Sequence, residues 1–479
     1  MEIDSLILKY AYPMKLTTTL FLVFLSFVGS TYGQDVLSFD DFIGLVKENH
    51  PVAQQVNLMT KNVEANRMMA RGQFDPKIEA SSENKRFEGS NYFQLNQAKV
   101  KVPTWFGIEL NAGFESANGI YTDNSDNLPD RGIWNAGISV PLAKNFIIDE
   151  RRAALRQAKV FARATEQEQI LAFNDLLQVA ADVYIDWQYN QELLKLAING
   201  VDLAFNRWKD TKSSFIQGDK PAIDTLESYI NYVTRESQRI EFLQELENTR
   251  LAVENLLWRD GYIPLELEVG VEPDSLNQSF LQGQMDSLSL IRLALIASHP
   301  ELILYDTKLE SLEIDNRLQR ESLKPDLRVQ FNPLLATNDQ SLFAPYNANN
   351  YKWGASLSYP LLLRKERGKI RMTNIKIETT QLDAKIKEES IIQLLDTYEN
   401  TVEQTVAKNE LLNTNIDNYL DLLRAERRKF DIGESSVFLL NSRETKYLES
   451  QQKLLGGLQK LLQSRVIYLY YTGRLSQTI

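Results

Sequence analysis

The chain has 479 residues, 43% apolar and 24% charged, which is enough material for a large core or several domains and argues against bulk disorder. A formal charge of −11 argues against nucleic-acid binding, which needs a basic footprint. Cysteine is absent, which excludes disulfides, thiolate metal sites, a cysteine nucleophile and a lipid-acylated cysteine in this sequence.

Residues 1–33 read as a secretory signal peptide with Met14 as its start. A short basic beginning precedes an apolar run from Leu16 to Val28, and small residues Thr31 and Gly33 lead to the cleavage site. No other stretch approaches about 18 consecutive apolar residues, so membrane residence of the mature chain would fall to β-strands.

The two histidines, His50 and His299, each stand directly before proline. A metal or catalytic pair would account for this, and so would a duplicated unit. Other landmarks decide between them. Pro76 and Pro325 repeat the histidine offset of 249, Pro141 and Pro360 are 219 apart, and Gly218 and Gly433 are 215 apart. Landmarks in one order over two stretches indicate two repeats, 34–258 and 287–471, with a linker at 259–286 and a tail at 472–479. The fall in offset gives the first copy about one additional β-hairpin. The histidines are then structural. No H-x-x-x-H, H-x-x-E-H, G-x-S-x-G or P-loop pattern accompanies them, so an enzyme or a cofactor site is not expected.

In chain order, the first copy reads as a helix over 39–70, strands within 77–140, a long helix over 149–214 and a helix over 221–258. The second reads as a helix over 287–322, strands over 326–359, a long helix over 364–429 and a helix over 437–471. Steps of three and four through Phe173, Leu177, Ala180, Tyr184 and Trp187, and through Ile391, Leu395, Tyr398 and Val402, mark coiled-coil seams. Each long helix would run about 100 Å. Gly218 and Gly433 then supply the left-handed residue for a reversal, so each copy holds a long antiparallel helical hairpin.

Between the helices the period is two. Phe106, Ile108, Leu110, Ala112 and Phe114 alternate with small or polar residues, as do Trp134, Ala136, Ile138 and Val140, and Tyr351, Trp353, Ala355, Leu357 and Tyr359. A half-buried sheet fits, and so does a barrel with lipid outside and water inside. The leader, the aromatic residues near strand ends (Trp105, Trp134, Tyr351, Trp353, Tyr359) and the uncharged polar face favour the barrel.

This order of elements, written twice, resembles the TolC-type outer-membrane channel family over about residues 35–475. The doubled "HP", "FDPK" with "LKPD", "VPL" with "YPL", and "SSFIQG" with "RKFDIG" carry the resemblance. It implies an α+β membrane protein: an outer-membrane β-barrel continued by an α-helical coiled-coil tunnel in the periplasm, formed by a homotrimer. It also implies a passive exit duct for efflux or type I secretion, with a periplasmic adaptor (membrane fusion) protein and an inner-membrane RND or ABC pump as partners. Absence of cysteine separates the chain from lipid-anchored members.

The family's gate lies at the helical tips. By position, its first-copy acid is Asp224, while its second-copy acids fall on Leu439 and Ser442 and its basic residue on Ser435. The gate here is then expected to be more apolar, around Phe438 and Leu439. For Val437, Phe438, Leu439 and Leu440 a plain helix seam is the competing reading. Phe215, Gly218, Asp219, Phe430, Gly433 and Glu434 form the turns that would meet the adaptor. Residues 77–140 have room for four strands where the family places two, so either the barrel is wider or an extra hairpin caps it. The rival class is a periplasmic adaptor or coiled-coil scaffold, which long hairpins alone would suit.

Overall fold

The computed structural model describes residues 36–120, 128–129, 131–336 and 347–479. The signal peptide expected at 1–33 and most of the two polar loops read between strands lie outside the described residues.

After β1 (Val36–Leu37), the chain forms α1 (Phe39–Asn49) and α2 (Pro51–Gly72). Four strands follow: β2 (Lys77–Phe87), β3 (Ser90–Pro103), β4 (Glu109–Asn118) and β5 (Ile133–Pro141). The 67-residue α3 (Glu150–Ile216) turns back into α4 (Ala222–Glu254). The segment that follows holds β6 (Trp258–Arg259), β7 (Ile263–Pro264), β8 (Glu272–Pro273), α5 (Gln282–Ser289) and α6 (Arg292–Ala297). Then come α7 (Pro300–Glu321), β9 (Asp326–Ala336), β10 (Tyr351–Ser358), the 68-residue α8 (Arg364–Asp431), α9 (Val437–Tyr471) and α10 (Leu475–Thr478).

The single helices expected over 39–70 and 287–322 are both broken, and proline is the cause. A proline ring disfavours the helical region for the residue before it and pushes it toward extended backbone. His50 (φ −63°, ψ 135°) and His299 (φ −67°, ψ 129°) are accordingly extended, and each begins a new helix with proline in its first turn. Each imidazole is the N-cap: Nδ1 accepts the N–H two residues on, from Val52 and from Glu301, both at 3.2 Å. A second break, between α5 and α6, bends the path by 81°. It turns Arg292 onto α8, where the guanidinium reaches Asp396 and, at 3.2 Å, Glu399.

The helix expected to reach 258 stops at Glu254, because Leu256 and Leu257 turn inward and are buried. Nor is 259–286 a bare linker. β8 pairs in parallel with β1, and Asp274 beside it accepts from the Tyr184 hydroxyl (2.7 Å) and from the Gln188 amide. The Tyr184 hydroxyl also reaches the Leu37 carbonyl (2.6 Å), fixing β1 to the middle of α3. The main core surrounds this knot: Phe42, Tyr184, Trp187, Leu461, Val466 and Leu469 are at most 1% exposed.

Among the described residues, six long strands form one antiparallel sheet in the order β10-β9-β5-β4-β3-β2, in which β5 and β9 join the first and second halves of the chain. One face carries Leu335, Trp134, Phe114, Ala98 and Ala80 in register, and the opposite face carries Asn135, Gly113, Lys99 and Glu79. No single helix among the described residues is long and apolar enough to cross a membrane.

Candidate gate at the hairpin tips

Both helical hairpins turn on the same backbone device. Gly218 (φ +86°) and Gly433 (φ +81°) occupy the left-handed region that glycine tolerates best. The Gly218 N–H donates to the Phe215 carbonyl (3.0 Å) and the Asp219 N–H to that of Ser214 (2.9 Å). In the second turn the Gly433 N–H donates to Phe430 (3.1 Å) and the Glu434 N–H to Lys429 (2.8 Å). This is the paired cap that satisfies a helix's last carbonyls. A Cβ at either glycine would meet nothing within 4 Å, so conformation rather than space requires the residue. The tips touch: the Lys220 ammonium lies 4.6 Å from the centre of the Phe430 ring. Phe215, Asp219 and Glu434 are exposed around them.

The apolar run after the second turn divides. Val437 and Leu440 are buried inside the hairpin, whereas Phe438 is 62% and Leu439 41% exposed. Half of the run is therefore seam, and half is available to line something. Ser436 caps α9 by accepting the Leu439 N–H (3.3 Å). Ser435 donates to Glu426 Oε1 (2.6 Å), and Arg443 approaches the same carboxylate at 3.6 Å. These contacts brace the second hairpin internally and do not tie it to the first. Asp224 is half-buried in the first turn of α4, and Ser442 is half-buried one turn beyond Phe438.

The hydrogen-bonded link between hairpins lies one to two turns further in, on residues that no motif in the sequence marks. Arg207 of α3 donates to the Glu444 carboxylate and, at 2.8 Å, to Asn441 Oδ1 on α9. Asn231 of α4 donates to the same oxygen at 3.3 Å, and Arg235 donates to Thr445 Oγ1 at 2.7 Å. Glu444 is 2% exposed. Burial pulls the Arg235 guanidinium below its ordinary pKa, and Glu444 and Glu449 oppose that shift. The clasp is incompletely satisfied: Glu444 Oε1, Arg235 Nε and Asn441 Nδ2 are buried without a protein partner. A weaker signal for it does exist in the sequence. Glu444 stands between Leu440 and Leu448 at four-residue steps, a seam position where a charge demands a partner.

At the sheet, the aromatic residues fall at two levels. Trp134, Tyr351 and Trp353 lie at the loop-connected end, with Trp134 packed 5.0 Å from Phe114 and Tyr351 5.7 Å from Phe331. Trp105 (77% exposed) and Tyr359 (44%) lie at the end nearer the helices. Among the described residues no group of three or more metal-ligating side chains occurs.

No protein-family model and no curated protein matches this chain. Solved structures do match. CmeC of Campylobacter jejuni, an outer-membrane channel, is 12% identical with a TM-score of 0.62, over 91% of this chain and 85% of its own. VceC of Vibrio cholerae is 10% identical at 0.63, over 91% and 95%. The MtrE outer-membrane channel of Neisseria gonorrhoeae, in its open state, is 13% identical at 0.60, over 90% and 88%. The chain therefore has the TolC-type fold of the outer-membrane channels.

Proposed function

We propose that this protein is the outer-membrane exit duct of an efflux or type I secretion machine. Three copies, each holding two variants of one helix–sheet–hairpin unit, would enclose a barrel in the outer membrane and a helical tunnel beneath it. One observation carries the reading. A single six-stranded sheet carries one apolar, aromatic-edged face, reaching β2 through Ile78 and Ala80, and one polar face, and hands directly into two helical hairpins about 100 Å long. A soluble scaffold has no use for Trp353, Leu357 and Ile78 exposed on such a face.

The duct does no chemistry of its own. Its control would sit at the tips, where Phe438 and Leu439 can constrict by excluding water and the Arg207–Glu444 clasp holds the second hairpin against the first. A periplasmic adaptor meeting the turns at Gly218 and Gly433, and an inner-membrane pump, would open it. The test is ion current through purified protein in a planar lipid bilayer, beside carbonate extraction of membranes. Discrete conductance steps and resistance to carbonate are expected. Folded protein that leaves the membrane in carbonate and passes no current would be an adaptor instead.

A further inference from the structure

The first copy contributes four strands to the sheet and the second contributes two, and the additional hairpin occupies one edge. Its placement decides how wide the duct is. We infer that β2 and β3 belong to the barrel wall, and that β2 of one copy pairs with β10 of the next, so that three copies close an 18-stranded barrel. This rests on the trimeric duct proposed above.

Continuity of both faces places the hairpin in the wall. The apolar row Trp353, Phe331, Ile138, Leu110 continues in register to Val102 of β3, and the row Trp134, Phe114, Ala98 continues to Ala80 of β2. On the other face the hairpin is tied to its neighbour by charge. Lys99 reaches Glu115 of β4 at 3.3 Å and Gln97 donates to the same carboxylate at 2.9 Å, while Lys101 pairs with Glu79 at 2.6 Å within the hairpin itself. A hairpin folded over the rim would break these rows and turn apolar residues to water. The lysines that interrupt the apolar pattern of β3 thus stand on the polar, lumen side with the other charges of the sheet. Beyond the apolar rows, Ser82, Asn96 and Ser116 hydrogen-bond one another across three strands at 2.7 and 3.4 Å. From there the hairpin runs on to its tight turn at Glu88 and Gly89, both left-handed.

The edges say what covers them. Every residue of β2 and of β10 is exposed, and each strand has one hydrogen-bonding side unpaired. An open edge does not persist in hydrocarbon, because its N–H and C=O groups find no water there. The two edges run in opposite directions, since the six strands alternate without exception. A second copy set head to tail therefore continues the same antiparallel order. With strands about 4.8 Å apart and tilted about 40°, eighteen strands close at a backbone diameter of about 36 Å, against about 24 Å for the twelve left if the hairpin stood outside. The outer mouth then exceeds the width of two helices side by side, each about 10–12 Å.

The native chain lacks cysteine, which makes the test clean. In full-length protein in the outer membrane, Ser356→Cys on β10 is combined in turn with Glu79→Cys, Ser81→Cys or Glu83→Cys on β2, and the pairs are oxidised. A parallel set combines Ser356→Cys with Asn111→Cys or Glu115→Cys on β4. Covalent trimers from the β2 set support the inference. Covalent trimers from the β4 set, or no cross-link in either, overturn it. A covalent ladder from the β2 set that closes at a number other than three keeps the hairpin in the wall and removes the trimer. Strands counted by electron microscopy in the unmodified duct decide independently of any variant: eighteen supports the inference, twelve overturns it.

Discussion

Arg207 and Glu444, 237 residues apart in sequence, meet in a buried contact that joins the first helical hairpin to the second. Little water reaches it, since the two side chains are 12% and 2% exposed. Such a pair is poor ballast for stability. Desolvation consumes most of its Coulombic gain, and a hydrophobic pair of similar volume often serves as well. Its importance emerges when one half is removed.

Arg207→Met should leave the Glu444 carboxylate buried and unpaired, which costs about 3–5 kcal/mol, and this is relieved by separating the hairpins and admitting water. The single variant should raise single-channel conductance in a planar bilayer. Arg207→Met with Glu444→Met should return it toward the wild-type level, because the contact becomes apolar instead of broken. If the single variant conducts like wild type, the clasp does not hold the tips.

The broad architecture is legible in the sequence because it rests on periodicity. Leu177 and Tyr184, or Trp134 and Ile138, declare helix and strand by spacing alone. The turns at Gly218 and Gly433 are legible for the same reason, since a left-handed residue ends a helix by local geometry. The clasp is not. Arg207, Asn231 and Asn441 look like surface residues until two hairpins distant in sequence are laid together. Phe438 and Val437 are adjacent and equally apolar, and only packing separates the exposed one from the buried one. The broken helices at His50 and His299 show the reverse failure: the helical pattern runs on through a proline at which local sterics interrupt the helix.

Asp182 on α3 gives a pH signature. Burial, and then the neighbouring charge of Asp186, raise its pKa to about 6, partly offset by a hydrogen bond from Gln178. One of its oxygens is buried without a protein partner. Between about pH 4, where an unfolded aspartate loses its proton, and pH 6, where the folded one does, the folded state holds more protons. Stability therefore falls as pH rises through that window and stays low above it. Asp182→Asn should raise the thermal midpoint at pH 7.5, by no more than about 3 kcal/mol in stability, and leave it unchanged near pH 3.5. An equal gain at both pH values would mean that the charge is not the cause.

Gly457 of α9 exists to admit a side chain. A Cβ there would lie 2.0 Å from Asn409 Oδ1, and Asn409 on α8 is 2% exposed. Alanine is the better helix former by about 1 kcal/mol, yet Gly457→Ala should destabilise by about 1–3 kcal/mol through overpacking. Asn409→Ala, which also removes an amide buried without a protein partner, should be tolerated alone and should rescue the glycine variant. Denaturant midpoints of the two single variants and the double variant test this, and additive losses would refute the steric account.

The histidine caps give the last prediction. Nδ1 of His299 accepts the Glu301 N–H only while that nitrogen is unprotonated. Burial lowers the His299 pKa, while Glu301 and a hydrogen bond to the Tyr471 carbonyl hold it back. The folded state therefore binds the proton less readily than the unfolded chain, whose histidine titrates near pH 6.5. The stabilisation is full above that pH and is lost as pH falls toward the folded pKa, opposite in sign to the effect of Asp182. His299→Ala should cost about 1 kcal/mol at pH 7.5, and His299→Asn, which keeps a capping acceptor, should cost less. At pH 5 the asparagine variant should be the more stable of asparagine and histidine, because asparagine caps without titrating. Thermal midpoints of the three proteins at both pH values measure it, and identical pH profiles for histidine and asparagine would show that the cap does not titrate.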